Sequence, residues 1–170
     1  MCHLLLYVVG IAVLIALDQI TKYLATLYLA PVGVLPFIPG VMELRYVLND
    51  GAAFSLLSGV EGGRVILLVF TGIALAALAV YLFWKKPAAR LERAALVLII
   101  AGGLGNFVDR ALNGVVVDFF ATTFMNFAVF NVADIFVCVG VGLMVLSLLL
   151  EEYRSRKKAR AERQAPHDLT

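Results

Sequence analysis

Cysteine and histidine are scarce in this chain of 170 residues, which has two of each. Cys2 lies near the N-terminus and Cys138 inside an apolar run. That separation fits neither a disulfide framework nor a zinc-ligand pattern, so both read as free thiols. His3 and His167 sit at opposite ends, leaving no histidine for a metal cluster or a Ser-His pair in the interior. Charge is sparse too: 15% of residues are Asp, Glu, Lys or Arg, and 14 basic residues nearly balance 12 acidic ones. The net charge says little, so the placement of the charges must carry the information.

Apolar residues are abundant, at 62% of the chain, well above the share in ordinary soluble domains. A bilayer core of roughly 30 Å needs about 20 helical residues. Four segments qualify: 4–28, 65–84, 94–112 and 129–150. The first lacks the Lys/Arg cluster and small-residue cleavage site of a removable leader, and reads as a retained span. The second carries no ionisable residue. The first carries Asp18 and Lys22 near its C-terminal end, the third Asn106, Asp109 and Arg110 near its C-terminal end, and the fourth Asn131 and Asp134 near its N-terminal end. In an alternating bundle these three groups face one side.

Lys and Arg in short connections favour the cytoplasm. Lys85, Lys86, Arg90 and Arg93 crowd the second connection, and Arg154, Arg156, Lys157, Lys158, Arg160 and Arg163 the tail. Residues 111–130 have neither Lys nor Arg, and 30–64 have only Arg45 and Arg64. Both termini are therefore expected inside and the polar groups outside. Residues 1–153 form a membrane domain, and 154–170 a basic tail, solvated or facing lipid headgroups. Within 30–64, Pro31, Pro36, Pro39 and Gly40 precede a strand-like 41–48, enough for a small platform on the membrane surface.

Ionisable residues at a membrane-helix centre cost about 2.5–3.5 kcal/mol each, less near an interface, so their gathering on one side marks a candidate site. Asp18 and Lys22, four apart with the acid first, suit an ion pair on one helix face. That pairing keeps Lys22 protonated and weakens a Ser-Lys peptidase reading through Ser55 or Ser58. Asn106, Asp109 and Arg110 share a face, and Asp109 is expected to neutralise Arg110. Gly102, Gly103 and Gly105 allow close approach of a helix or an extended peptide. Asp118 and Asp134 sit among apolar residues with no adjacent cation. They can be caps, Asp134 of the fourth helix and Asp118 of a turn. Brought together in a partly desolvated site they would share a proton, one activating a water and the other polarising a carbonyl.

Five motifs occur in order: DQITK at 18–22, NDGAAF at 49–54, GGLGNFVDR at 102–110, VVDF at 116–119 and FNVAD at 130–134. Together, on a four-span chain of this size, they resemble lipoprotein signal peptidase, also called signal peptidase II. The resemblance implies an all-α membrane protein of four transmembrane helices with a small extracytoplasmic β-cradle, into which 41–54 would feed strands, and a short lid helix between the first two spans. It implies an aspartic endopeptidase of the bacterial inner membrane that cleaves prolipoproteins before a diacylglyceryl-modified cysteine, with its active site toward the periplasmic face. No metal or organic cofactor is implied, and no nucleic acid. The partners are the lipidated substrate and membrane lipid, and a monomer is the simplest state.

By the same resemblance Asp118 and Asp134 are the catalytic pair. Asn49, Gly51, Asn106, Arg110, Asn131 and Ala133 line the substrate pocket, and Asp18, Lys22 and Asp109 support the helices and loops. Residues 120–129 depart from many relatives in lacking both charge and tryptophan. Two other classes stay open on the residues alone. Buried Asp, Asn and Arg also build the paths of small ion-coupled transporters, although the inner half of this bundle offers no polar route. A non-catalytic lipid-binding scaffold is the other.

Overall fold

The computed structural model describes residues 2–51, 62–85, 87 and 89–164, with side chains from 4 to 160 within those ranges. Four helices are long and apolar enough to cross a membrane, over Leu4–Leu29, Gly63–Lys85, Arg90–Asn113 and Val132–Arg160. Helix α1 (Cys2–Leu24) widens into π-helical hydrogen bonding over Ala25–Leu29, where the Ala30 amide reaches back five residues to the Ala25 carbonyl at 3.0 Å. Helix α2 (Gly63–Val80) ends in the same way over Tyr81–Lys85. Helix α3 (Arg90–Asn113) stops at Gly114, whose φ of 81° turns the chain out of the helix while its amide still donates to the Arg110 carbonyl at 3.2 Å. Helix α4 (Val132–Gln164) runs past the expected end of its span at 150 without a break and carries the first part of the basic tail, exposed through Arg160.

Outside the helices, the described residues form one antiparallel sheet in the order β1-β2-β3, made of β1 (Val34–Ile38), β2 (Met42–Asn49) and β3 (Val116–Thr122). The expected cradle is present, and β2 falls where strand character was read. The third strand comes from a distant segment and holds Asp118, which is therefore a strand residue and not the cap of a turn. The expected lid helix falls within 52–61, outside the described residues.

Helix α3 is the centre of the bundle, packing against α1, α2 and α4. Leu82, Leu96, Ile100, Ala101 and Ile11 form the inner core. Leu5, Val65, Ile73 and Trp84 turn outward, as lipid-facing positions must. Because lipid tails are as apolar as leucine, burial alone drives little association between such helices, and tight packing and polar contacts decide it. The glycines of α3 supply the packing. A side chain at Gly102 would collide with the Ala133 carbonyl oxygen of α4, one at Gly105 would lie 2.5 Å from Asp18 Oδ2 of α1, and Gly103 faces Leu75 of α2. Each of the three glycines thus admits a different neighbour. The sheet packs over the end of this assembly, with Phe119 buried against Ala25 and Leu29, and Val132 beside them.

Candidate active site

The expected i,i+4 pair is present: Lys22 Nζ donates to Asp18 Oδ2 at 2.8 Å, with both side chains buried. The same ammonium donates to Asp109 Oδ2 at 2.6 Å and to Asn106 Oδ1 at 2.8 Å. Asp109 is therefore neutralised by Lys22 of α1 and not by Arg110, its neighbour in sequence. Successive residues on a helix point about 100° apart, and Asp109 faces α1. Gln19 completes this cluster, donating to Asp109 Oδ1 at 3.1 Å and to the Gly105 carbonyl at 3.4 Å. Gln19 belongs to the DQITK motif at 18–22, but the motif assigns it no role of its own.

Asn131 is the N-cap of α4 and Asp134 occupies the third helical position. The Asp134 amide donates to Asn131 Oδ1 at 3.0 Å, and the Asn131 amide donates to Asp134 Oδ2 at 3.0 Å, a reciprocal capping box. The cap anticipated for Asp134 thus belongs to Asn131. A further amide at this helix start, that of Ala133, donates to Asp18 Oδ1 at 2.9 Å and ties α4 to the Lys22 cluster.

Asp118 arrives from the sheet. In the β2–β3 register Val47 lies opposite Asp118 and Asn49 opposite Val116, which puts Asn49 and Asp118 diagonally on one face. Asn49 Nδ2 donates to Asp118 Oδ2 at 2.8 Å. Phe130 pairs with Phe120 across a bridge, through two bonds at 3.0 and 2.8 Å, and so brings the start of α4 alongside β3. Asn131 Nδ2 then donates to Asp118 Oδ1 at 2.7 Å, and Asn106 Nδ2 to Asp134 Oδ1 at 2.8 Å. Both carboxylates are held on both oxygens, and Asn131 touches each. Burial pushes the Asp118 carboxyl up to about 6. The Asn49 hydrogen bond pulls against this, Asp134 raises it further, and Asn131 and Lys22 lower it.

Asn49, Asn106, Arg110, Asp118 and Asp134 open onto a cavity of about 870 Å³ walled by Leu67, Phe70, Leu75 and Leu78 of α2 and by Ile135 and Val139 of α4. Asn131 and Ala133, expected to line the pocket, lie wholly buried behind the carboxylates. Arg110 Nη2 donates to the Gly51 carbonyl at 2.7 Å, and its buried Nε finds no acceptor among the described residues. Arg64 binds the last carbonyls of α3 from the start of α2, donating to Arg110 O at 2.7 Å and Ala111 O at 2.8 Å. In the sequence it counted only as a loop charge.

Four candidate membrane spans and the sheet bring two amide-clamped carboxylates together at one end, open to an apolar cavity, an arrangement that suits a polytopic membrane enzyme. The family model described as signal peptidase (SPase) II matches residues 10–150. The lipoprotein signal peptidases of Streptococcus pyogenes serotypes M2 and M5 are each 40% identical over 148 residues, covering 86% of this chain and 95% of theirs. Two bacterial membrane enzyme structures obtained by the in meso method, at 2.3 and 1.9 Å, each superpose with a TM-score of 0.74. They are 30% and 32% identical, and cover 86% and 84% of this chain and 88% and 92% of their own. The chain belongs to the signal peptidase II family. It is a bacterial membrane protease, and the transporter reading finds no support among these relatives.

Proposed function

We propose that Asp118 and Asp134 are the catalytic pair with which this protease cuts a diacylglyceryl-modified prolipoprotein immediately before its lipidated cysteine. The observation that carries the reading is the double clamp: two carboxylates bridged by Asn131, each bound by amide donors on both oxygens, at the mouth of one apolar cavity. Amides fix the carboxylates in place without neutralising them, so the pair is free to share one proton.

The ionised carboxylate takes a proton from water as the water oxygen adds to the scissile carbonyl, and the protonated one gives its proton to the carbonyl oxygen. Collapse of the tetrahedral adduct then breaks the C–N bond. The carboxyl that took the water's proton gives it to the leaving nitrogen, which departs as the new N-terminal amine of the cysteine. The other carboxylate regains a proton from the adduct's hydroxyl, and the signal segment leaves as an acid that ionises in water. Arg110 is well placed to donate to a substrate carbonyl by exchanging its Gly51 partner.

The apolar cavity suits acyl chains that remain in lipid while the peptide bond meets the dyad. The excess of Lys and Arg in the second connection and the tail favours cytoplasmic termini in the inner membrane and a periplasmic site. All the site residues come from one chain, in keeping with a monomer surrounded by lipid. Cleavage of a diacylglyceryl-modified prolipoprotein by the purified wild type, Asp118→Asn and Asp134→Asn, followed on a gel, tests the proposal. Each substitution should abolish turnover with folding intact, and near-normal cleavage by either would sink the assignment.

A further inference from the structure

Arg110 is held twice, at its side chain and at its backbone. Its guanidinium donates to the Gly51 carbonyl at 2.7 Å and faces the cavity onto which Asp118 and Asp134 open. Its own carbonyl accepts from Arg64 Nε at 2.7 Å, and the next carbonyl, that of Ala111, accepts from Arg64 Nη2 at 2.8 Å. One planar guanidinium thus spans two successive carbonyls in the last turn of α3, where carbonyls run out of partners within the helix and the backbone frays. Its positive charge also suits the negative end of the helix. Gly114 leaves the room for it, since a side-chain carbon there would lie 3.1 Å from Arg64 Nη1. Arg64 stands at the second position of α2 and outside the walls of the cavity, so any service to the reaction passes through another residue.

We propose that Arg64 is a positioning residue: by locking the last turn of α3 it aims Arg110, so that Arg110 can leave Gly51 and take up a substrate carbonyl without its backbone shifting. This rests on the peptidase reading and on the role of Arg110 within it. A long side chain reaches the right atom only if its backbone starts in the right place, and a small misplacement far from the chemistry is costly. Two hydrogen bonds from one rigid fork fix that starting point in both position and angle. A lysine in place of Arg64 keeps the charge at the helix end but cannot span two carbonyls in a fixed plane.

The test is a double-mutant cycle on the purified full-length enzyme in detergent, with a diacylglyceryl-modified prolipoprotein as substrate: wild type, Arg64→Gln, Arg110→Lys and the pair. Arg64→Gln should lower kcat/KM about tenfold and Arg64→Lys about fivefold, with thermal unfolding within a few degrees of wild type. Beside Arg110→Lys, which has no planar fork left to aim, Arg64→Gln should change kcat/KM by less than about twofold. The same cycle is read as substrate affinity with Asp118→Asn added to all four enzymes, and that reading decides where turnover is too slow to measure. Wild-type kcat/KM in Arg64→Gln overturns the proposal and leaves the peptidase reading intact. An undiminished effect of Arg64→Gln beside Arg110→Lys does the same, because Arg64 would then act only by seating the start of α2, whose Leu67 and Phe70 wall the cavity. A wild type that leaves the prolipoprotein uncut overturns both. Should Arg64→Gln not fold, Arg64→Lys takes its place in the cycle.

Discussion

Asn131 donates its side-chain amide to Asp118 at 2.7 Å while its side-chain oxygen accepts the amide of the third residue of α4 at 3.0 Å. One side chain therefore starts a helix and orients an acid. Asn131→Ala should lose about 1 kcal/mol of stability through the cap. Its loss of kcat/KM should be far greater, about 10²-fold or more, because Asp118 loses a donor and the start of α4 that carries Asp134 loses its cap. Thermal unfolding in detergent beside cleavage rates separates the two effects. A fall in activity no larger than the cap accounts for would count against the bridging role.

The raised pKa of Asp118, about 6 against an ordinary 3.8, sets a pH dependence with a definite sign. The folded state holds this proton more tightly than the unfolded chain. The contribution to stability is therefore complete below pH 3.8 and fades as pH rises through 6. If Asp118 supplies the acid, kcat/KM falls over the same upper range. Asn49→Ala removes a hydrogen bond that favours the ionised form, so the falling limb should move to higher pH. A pH–rate profile of the two enzymes checks it, and a shift to lower pH would contradict the assignment.

Lys22 balances two buried carboxylates from two helices. Lys22→Met leaves Asp18 and Asp109 without that cation and should destabilise the protein by about 3–5 kcal/mol. Activity should fall as well, since Asn106 loses one of the two donors that keep its own amide turned toward Asp134. Thermal unfolding and cleavage rates measure both.

Two glycines should respond oppositely to the same substitution. Gly102→Ala drives a methyl group into the Ala133 carbonyl oxygen and should cost about 1–3 kcal/mol, with activity lost as Asp134 is displaced. Gly142 has nothing within 4 Å of an added carbon. Gly142→Ala should be neutral, or stabilising by about 0.5–1 kcal/mol through helix propensity. Paired unfolding curves distinguish them.

The spans and their polar ends were legible because hydropathy and an i,i+4 spacing are local properties. Asp18 and Lys22 needed only their own helix to be paired correctly. Asp109 did not, because its partner Lys22 lies 87 residues away on α1 and adjacency offered Arg110 instead. Strand β3 was hidden for a different reason. It is buried or half-buried along its whole length, so VVDFFAT shows no clean alternation of polar and apolar residues, and Asp118 passed for a possible turn cap. Asn131 was recognised as a site residue through its motif. Its bond to Asp118 depends on the pairing of Phe120 with Phe130, which no spacing in the sequence reveals.

On the proposed reading, the capping box on Asn131 links the beginning of the last span to the completion of the catalytic pair. Until the start of α4 lies beside β3, Asp134 and Asp118 are not joined across Asn131. A newly made chain whose final helix has not yet settled thus carries both acids without a working blade. The membrane around it is safe from stray proteolysis until the bundle is closed.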